Sequence, residues 1–314
     1  MKHPAGFAFR PPTWDDLPGV LAVVRAHDVA EYGAPDTDEG DIRDAWNAHP
    51  PEECAMIVVA ANGTIAATAI DTSRRPPRME GRVHVHPDHA GRGLGTYLTR
   101  WIEARIANAA GDGFDDDATL GFFTATVNEA AMQLLANEGY SIVRHNLRME
   151  IDLGAPRTAV SADGITVRAY RQGVEERALH DTLEEAFLDH WDHHPRPYEE
   201  FANGFIGSAS FDPSLCFVAD DNGEIGGIAL CSIFKEESMG WIAWLGVRRP
   251  WRRRGVAVAM LHHAYAEFQK RGLTSAGLGV DAESLTGAPR VYERAGMHRT
   301  REYAIFRKPV ASLR

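Results

Sequence analysis

Residues 251–268, WRRRGVAVAMLHHAYAEF, place three arginines and a glycine directly before an apolar run with helical character. The first amides of a helix have no partner inside the helix, and the aligned peptide dipoles make that end partly positive. Glycine allows close approach to the backbone, and arginine adds charge-assisted contacts suited to phosphate. Because the stretch follows a strand-like run, 240–247, it predicts a strand, loop and helix that bind an oxyanion. A solvated basic loop would give the same local pattern.

Three pairs of segments recur along the chain in the same order and at nearly constant spacing. Self-similarity of this kind indicates a duplicated structural unit. The first pair joins an Asn-Gly turn to an apolar run, which is a strong hairpin signal. The pairs are NGTIAATAI (62–70) with NGEIGGIAL (222–230), VHPDHAGRGLG (85–95) with VRRPWRRRGVA (247–257), and LLANEGY (134–140) with VYERAGM (291–297).

The duplication predicts two domains, at residues 1–153 and 164–314, joined by a linker over 154–163 that is rich in Gly, Pro and small residues. A chain of 314 residues is long enough for two cores. Strands mixed with helices predict an α/β or α+β class, with a central sheet covered by helices. In the second copy we expect helices over 174–191, 256–272 and 288–296, and strands over 165–170, 240–247, 275–280 and 301–308.

Composition and charge exclude several partners. A net charge of −11 argues against nucleic acid, because duplex affinity depends largely on neutralising phosphates. The chain has no apolar run long enough to span a bilayer, and its start lacks the apolar region of a signal peptide. We therefore expect a cytoplasmic protein without a nucleic-acid or membrane partner. Cys54, Cys216 and Cys231 lack metal-ligand spacing and are expected to be buried, reduced thiols.

Two segments of the second copy resemble the Gcn5-related N-acetyltransferase (GNAT) family. WLGVRRPWRRRGVAVAMLHHA (244–264) resembles the acetyl-CoA signature [RQ]-x-x-G-x-[GA] after a V-x-x-P strand end, with Arg252, Gly255 and Ala257 at the defining positions. VYERAGM resembles a later motif, a short helix carrying a tyrosine and followed by glycine. The resemblance covers nearly all of both halves. It implies two tandem GNAT-like domains, each a mixed, mostly antiparallel sheet flanked by helices.

The resemblance also implies how acetyl-CoA would bind. In the family the loop amides hold the pyrophosphate of coenzyme A, and a splay between two strands, here 240–247 and 275–280, receives the pantetheine arm. We expect acetyl-CoA as co-substrate and no metal. The candidate binding residues are Leu245, Val247, Arg252, Arg253, Arg254, Gly255, Val256 and Ala257 in the second copy, and Val85, Arg92, Gly93 and Gly95 in the first.

The first copy departs from the family pattern at two positions. Ala90 stands where the signature has Arg or Gln, and Leu135 stands where the later motif has its tyrosine. In the family that tyrosine, here Tyr292, commonly protonates the departing thiolate. General acid catalysis contributes about a hundredfold to ten-thousandfold in rate, and leucine cannot supply it. We therefore expect catalysis in the second copy, and CoA binding at most in the first.

The general base is less well marked. An ammonium group must lose a proton before it attacks a thioester. Several family members place a glutamate on the strand corresponding to 240–247, but that strand has none here. Asp281, Glu283 and the imidazoles of 189–201 are alternatives, and we favour Asp281.

The segment DHWDHHPRPYEEF (189–201) is expected to line the acceptor pocket. Its position between a helix and a hairpin matches the acceptor-side loop of GNAT folds, so His190, Trp191 and Tyr198 are the candidate substrate contacts. Its histidines could also suggest a metal site. Pro195 disfavours that interpretation, because it ends the helix on which two histidines would share a face.

The resemblance implies transfer of an acetyl or short acyl group to a primary amine of a small molecule. The length and arrangement look like mycothiol synthase-like two-domain acetyltransferases, which acetylate a cysteinyl amine on a sugar-inositol. They look equally like tandem enzymes that acetylate antibiotics or other small amines, and the missing strand glutamate favours these. A non-catalytic CoA-binding sensor or adaptor is the alternative. The duplicated unit permits a monomer, as a pseudo-dimer, or a homodimer.

Overall fold

The computed structural model divides into two compact units, each built on a sheet flanked by helices. Unit 1 combines Met1–His145 with Glu302–Arg314, and unit 2 comprises Asn146–Arg301. Strands and helices mix in both units, which confirms the predicted α/β class with a mixed sheet. The structure describes residues 3–37, 39–72, 78–110, 117–155, 160–207, 211–235 and 237–313.

Unit 1 contains most of the first half of the chain. Its strands are β1 (Phe7–Arg10), β2 (Ala55–Ala60), β3 (Ile65–Asp71), β4 (Arg78–Val85), β5 (Thr119–Ala125) and the first residues of β6 (Ser141–Asp152). Its helices are α1 (Leu17–Tyr32), α2 (Glu39–Ala48), α3 (Pro51–Cys54), α4 (Leu94–Ala110) and α5 (Glu129–Asn137).

Unit 2 repeats this order of elements. Its strands are β7 (Thr166–Ala169), β8 (Cys216–Asp221), β9 (Glu224–Phe234), β10 (Met239–Val247), β11 (Ser275–Asp281) and the first residues of β12 (His298–Pro309), together with the second half of β6. Its helices are α6 (Glu176–Phe187), α7 (Tyr198–Phe201), α8 (Val256–Lys270) and α9 (Ala288–Arg294).

The sheet of unit 1 has the order β1-β2-β3-β4-β5-β12. Its pairs are antiparallel except β4 and β5, which run parallel from Arg78↔Thr119 to Gly81↔Phe122 and then part. Helix α4 covers one face with an apolar stripe repeating every fourth residue, the pattern of an amphipathic helix. The stripe consists of Leu94, Leu98, Ile102 and Ile106, all buried.

The sheet of unit 2 has the order β6-β11-β10-β9-β8-β7. Here β10 and β11 form the parallel pair, which extends only from Met239↔Ser275 to Trp241↔Gly277. Helix α8 packs on one face and α6 on the other. The lack of a side chain at Gly240 permits the approach of α8, because a Cβ there would lie 2.3 Å from the ring of Phe268.

The last strand of the chain belongs to unit 1, which differs from the expected division after residue 153. Residues 303–309 of β12 pair antiparallel with β5, and Lys308 Nζ lies 2.8 Å from Glu103 Oε1 on α4. Residues 146–152 of β6 pair with β11 in unit 2. Backbone pairing, and not position along the chain, therefore decides which unit each strand completes.

Several element bounds also differ from expectation. Helix α6 ends at Phe187, earlier than expected, because the following amides turn back: the amide of Leu188 bonds to the Glu185 carbonyl and that of His190 to the Phe187 carbonyl. The final strand starts earlier than expected, at His298. Within the expected linker, residues 156–159 lie outside the described residues.

The three cysteines are free and buried, as predicted. Burial raises the pKa of the Cys54 thiol to about 11 and that of the Cys216 thiol to about 12. These thiols therefore stay protonated and unreactive at neutral pH. Among the described residues, none of the helices has the length and apolar character needed to cross a bilayer.

Because the last strand of the chain completes the sheet of unit 1, a core mutation near the C-terminus is predicted to destabilise unit 1. We expect Phe306→Ala to cost about 3–5 kcal/mol through the lost packing, since Phe306 is 2% exposed in the unit 1 core. Hydrogen exchange measured by mass spectrometry should then lose protection in β5. Phe268→Ala is the matched control and should expose β10 and β11 instead. Loss of protection in β10 from Phe306→Ala would contradict the assignment.

Candidate active site

The loop between β10 and α8 has a backbone shaped to present its amides. Arg253 and Gly255 both have positive φ, 65° and 79°. A positive φ is unusual for a residue with a side chain and reflects a strained position. The loop of unit 1 has the same conformation, with glycine at both positions: Gly91 at 73° and Gly93 at 78°. The two copies therefore build one backbone geometry from different residues.

The amides at the start of α8 are open to a ligand. Within the part of the chain that the structure describes, the amides of residues 253–258 donate to no protein acceptor. Residues 91–96, before and within the first turn of α4, show the same pattern. Free amides at a helix N-terminus, next to a glycine in the left-handed region, form a site for a phosphate or diphosphate.

The three arginines of this loop have different environments. The Arg252 guanidinium is half-buried and donates to the Val247 carbonyl at 3.0 Å, to the Ala186 carbonyl at 3.0 Å and to Asp189 Oδ2 at 2.6 Å. Its side chain is thus engaged by the protein itself, which differs from the expectation that it meets the phosphate. It fixes the loop to the end of β10 and to α6.

The other two arginines are exposed. Arg254 Nη1 lies 3.2 Å from Asp221 Oδ2, and no hydrogen bond or ion pair engages Arg253 within the described residues. Arg253 is therefore the arginine of the loop best able to approach an anion held by the amides.

A β-bulge divides β10 into two parts. The register with β9 shifts between Ile242 and Trp244, so Ala243 faces no β9 residue. Before the bulge Ile242 points into the core beneath α8. After it the Trp244 ring lies 5.2 Å from Phe187 on α6. A bulge adds one residue and so reverses which face each later side chain takes. It also removes the backbone of Ala243 from the regular ladder.

An open slot lies alongside β11. Pairing with β10 stops at Gly277, where a Cβ would lie 2.9 Å from the Trp241 ring. Two residues further on, a Cβ at Gly279 would meet no atom within 4 Å. Since side chains alternate along a strand, Asp281 shares this face. Asp281 is 9% exposed, and its Oδ1 accepts a hydrogen bond from the Glu283 amide at 2.9 Å.

Tyr292 lies on α9, which packs against α8 and β11. The residue is buried, at 8% exposure, and this burial raises its pKa to about 12. The phenol therefore keeps its proton at neutral pH and can act as a donor. The corresponding position in unit 1 is Leu135, which is buried and has no proton to give.

Part of the segment after α6 reaches the bulge. The Arg196 guanidinium lies 5.6 Å from the Trp244 ring centroid, on the same residue that contacts Phe187. The ring of His190 is 6.0 Å from Phe187, and that of Trp191 is 6.3 Å from His190.

Tyr198 has different neighbours from His190 and Trp191, the other two candidate substrate contacts. It packs against α6, with Arg177 4.2 Å from its ring and the His180 ring at 5.7 Å. No described contact of Tyr198 leads to β10. It therefore acts in the packing between α6 and α7.

The acidic and imidazole groups of this segment form separate pairs. Asp189 bridges Arg249 at 2.5 Å and Arg252 at 2.6 Å, and these two arginines hold the pKa of its carboxyl well below the usual range. The imidazole of His193 faces Glu184 at 3.4 Å. Within the described residues these pairs do not converge on one point, as the ligands of a metal would have to do.

Sequence reasoning missed Arg148 on β6. This residue is 4% exposed, lies directly opposite Gly279 and has its guanidinium 5.2 Å from the Trp241 ring. Glu150, which bonds to its Nε, and Glu237, 3.0 Å from its Nη2, balance its charge. The signal was present in the polar residues that alternate with Leu147 and its apolar successors along β6. It could be used only once the partner strand was known.

Comparisons with known proteins identify the family and the fold. The profile of the "Acetyltransferase (GNAT) family" matches residues 21–140 and 177–297, one match in each copy. A GCN5-related N-acetyltransferase from Sphaerobacter thermophilus, solved by crystallography, is similar with 33% identity, a TM-score of 0.87 and coverage of 98% of this chain and 97% of that one. A tandem GNAT protein from the clavulanic acid biosynthesis pathway shares the fold at 13% identity, with a TM-score of 0.71 and coverage of 97% and 98%.

Curated relatives carry the name mycothiol acetyltransferase. The relative from Streptomyces griseus is 30% identical over 68% of this chain and 66% of its own length. The one from Geodermatophilus obscurus is 25% identical over 89% and 90%. The first of these alignments spans about two thirds of the relative. The two family matches and these relatives confirm the predicted tandem arrangement.

The contacts of the loop arginines predict that removing Arg252 lowers stability and that removing Arg253 barely changes it. We expect Arg252→Ala to lower the free energy of unfolding by about 1–3 kcal/mol, because two carbonyls and a carboxylate lose their donor. Arg253→Ala should change it by less than about 0.5 kcal/mol, as for other exposed sites. Urea denaturation followed by tryptophan fluorescence measures both. Equal midpoints for the two variants would contradict the structural role of Arg252.

Proposed function

Because the chain belongs to the acetyltransferase (GNAT) family of acyl-CoA-dependent N-acetyltransferases, we propose that unit 2 transfers an acetyl or short acyl group to a primary amine of a small molecule. The bulge between Ile242 and Trp244, beside the slot along β11, is the observation that carries this proposal. It brings Ala243, which has no register partner on β9 or β11 among the described residues, to the place where β10 and β11 separate. A preorganised amide of this kind stabilises negative charge on a carbonyl oxygen.

Unit 1 lacks the features that support catalysis. Its β3 and β4 pair without interruption from Ala67↔Val85 to Asp71↔Gly81, so no bulge interrupts β4. Leu135 takes the place of the tyrosine. The loop over 90–95 nevertheless keeps its backbone shape. We assign unit 1 the binding of a CoA-type ligand without chemistry.

The residues of the unit 2 loop fit acetyl-CoA, which supplies an acetyl group on a thioester. The free amides of residues 253–258 and the exposed Arg253 suit its diphosphate. Val256 and Ala257 belong to this set through their amides. Leu245 and Val247 lie in the last part of β10, where β10 and β11 have separated. They are assigned to bind the pantetheine arm of acetyl-CoA. Arg252 acts indirectly, by fixing the loop.

Two side chains are assigned proton transfers. Tyr292 holds a proton at neutral pH and is assigned its donation to the departing sulfur. Asp281 lies on the face of β11 that borders the slot and is assigned removal of a proton from the attacking amine. The Glu283 amide holds the Asp281 carboxylate in place. Asp281 is preferred to the imidazoles of this segment because His193 and His194 already face the carboxylates of Glu184 and Asp192.

The acceptor is assigned to the side of the sheet that carries Trp241 and Trp244. Two indole rings, with His190 and Trp191 beyond Phe187, give this side a large aromatic surface. Such a surface suits an amine attached to a ring or an extended apolar group.

The cysteinyl amine used by mycothiol synthase-like enzymes is the second candidate acceptor. The names of the curated relatives favour it. The absence of a carboxylate from the sequence of β10 counts against it.

Matched substitutions in the two loops test the assignment. We expect Gly255→Glu to lower kcat/KM for thiol release from acetyl-CoA by about a hundredfold or more, because a like charge facing the diphosphate costs several kcal/mol. Gly93 has the same backbone conformation, with φ of 78° against 79°, so Gly93→Glu is the control and should leave turnover nearly unchanged. The assay offers a panel of small amines that includes the cysteinyl acceptor and detects free thiol.

The outcomes of this assay separate the candidate functions. Turnover confined to the cysteinyl amine would favour the second candidate acceptor. CoA binding by calorimetry without thiol release from any amine would indicate a sensor or adaptor. A loss of turnover from Gly93→Glu, with Gly255→Glu active, would place the chemistry in unit 1.

Removal of the phenol tests the acid. We expect Tyr292→Phe to lower kcat by about a hundredfold to ten-thousandfold, with little change in KM, because only the proton donor is lost. Tyr265→Phe makes the same chemical change in the same core and should retain kcat. Steady-state kinetics with saturating amine measures both. Equal kcat values for the two variants would exclude Tyr292 as the acid.

A further inference from the structure

In each unit a basic side chain contacts the last backbone carbonyl of the strand that leads into the loop. This strand is β4 in unit 1 and β10 in unit 2. In unit 2 the Val247 carbonyl accepts from the Arg252 guanidinium at 3.0 Å. Ala90 takes the position of Arg252 in unit 1, with nearly identical backbone angles: φ −60° and ψ 153° against −65° and 153°. Its methyl group offers no donor. The equivalent carbonyl, that of Val85, instead lies 3.3 Å from Nδ1 of His27 on α1.

The carboxylate partner is reproduced as well. Arg252 also bonds to Asp189, just beyond the end of α6. His27 Nε2 lies 3.0 Å from Glu31 Oε1, near the end of α1. In both units a cation thus joins a carboxylate on the first helix, or just past it, to the last carbonyl of the strand that leads into the loop.

Both partners of His27 are acceptors. A carbonyl oxygen and an ionised carboxylate can only receive hydrogen bonds, so both ring nitrogens must donate. This requires the imidazolium form. Burial by itself lowers the pKa of His27, but the hydrogen bond and charge of Glu31 outweigh it, and the pKa is raised above its ordinary value. The pKa of Glu31 is lowered in turn.

Besides Glu31, the titratable groups of the described residues that interact with His27 are Asp28 and His84. Asp28, on the same helix, is buried and adds negative charge. The His84 ring on β4 lies 5.3 Å from that of His27, and burial lowers its pKa to about 3, so it is uncharged at neutral pH. Asn128, before α5, donates to Glu31 and helps to hold that carboxylate.

We propose that His27 is a positioning residue for a diphosphate-bearing, CoA-class ligand in unit 1: its imidazolium anchors the end of β4, as Arg252 anchors the end of β10. The proposal rests on the proposed function of the unit 1 loop. The guanidinium of Arg252 stays charged at all physiological pH values, whereas the imidazole of His27 does not. Ligand binding in unit 1 therefore depends on pH, and binding in unit 2 does not acquire this dependence.

The direction of the pH effect follows from the raised pKa of His27. The imidazolium and both of its hydrogen bonds are present below that pKa. When the pH rises through it, one nitrogen loses its proton, and either the Val85 carbonyl or Glu31 loses its donor. The end of β4 is then less constrained, and one positive charge near the loop is removed. Affinity falls towards alkaline pH.

The test uses full-length protein with Gly255→Glu, which confines CoA binding to unit 1. Calorimetric titration with CoA between pH 6 and 9 should show an affinity that falls by about fivefold across the His27 titration, the effect of one hydrogen bond. Adding His27→Arg should retain the low-pH affinity and remove this fall. Adding His27→Gln should give the lower affinity at every pH. Ionisation of CoA itself is common to all variants and cancels in the comparison.

A transplanted arginine gives a stricter test of the same idea. In the His27→Gln background, Ala90→Arg restores the residue type of unit 2 at the matching backbone position. We expect it to recover the affinity without the pH dependence. Linkage gives a further readout that a purely structural role would not move: saturating CoA should raise the His27 pKa measured by NMR, since binding favours the protonated form.

Defined outcomes would overturn the proposal. One is that CoA affinity depends on pH in the same way for the Gly255→Glu protein and for the same protein with His27→Gln added. Another is that saturating CoA leaves the His27 pKa unchanged. Absence of CoA binding in the Gly255→Glu background at every pH would do the same. None of these results affects the thiol-release assay of unit 2, whose failure would instead overturn the proposed catalysis.

Discussion

In each unit one pair of parallel strands separates after three or four residues, and the candidate site lies where the two strands part. The pairs end at Trp241↔Gly277 and at Gly81↔Phe122. Beyond these points the backbone groups of each strand must find other partners or face a ligand. The valine carbonyls at the strand ends meet this requirement through cationic side chains. The loop amides remain available because no acceptor within the described residues engages them.

The two units have different residues at the equivalent positions around the separating strands. Unit 2 combines a bulge, a buried phenol and an arginine anchor, and its loop tolerates a positive φ at Arg253. Unit 1 has an uninterrupted strand, a leucine and a histidine anchor, with glycine at the equivalent strained position. Unit 1 thus keeps the shape of the loop, with leucine at the position where unit 2 has a buried phenol. A duplicated fold can keep one backbone geometry while its side chains diverge.

The sequence predicted those parts of the molecule that depend on local pattern. The loop before α8 and the buried cysteines come from residues close together in the chain, and the duplication comes from short segments that recur about 160 residues apart. The bulge at Ala243 and the place of Arg148 depend on which strand lies alongside, and spacing does not record that pairing. Arg252 matched the motif, yet its guanidinium found protein acceptors at a distance in sequence. Tyr198 packs against Arg177 and His180 of α6, a contact that spacing along the chain does not record.

The placement of the last strand has a consequence for how the duplication can be dissected. A fragment that stops near residue 153 would leave β5 without β12, and one that starts at 164 would leave β11 without β6. Each would expose a long hydrogen-bonding edge, which invites self-association. The repeats are therefore interdependent in assembly although each has its own core. A circularly permuted chain with its new termini in a surface loop would keep both sheets intact, whereas two fragments divided between residues 153 and 164 would not.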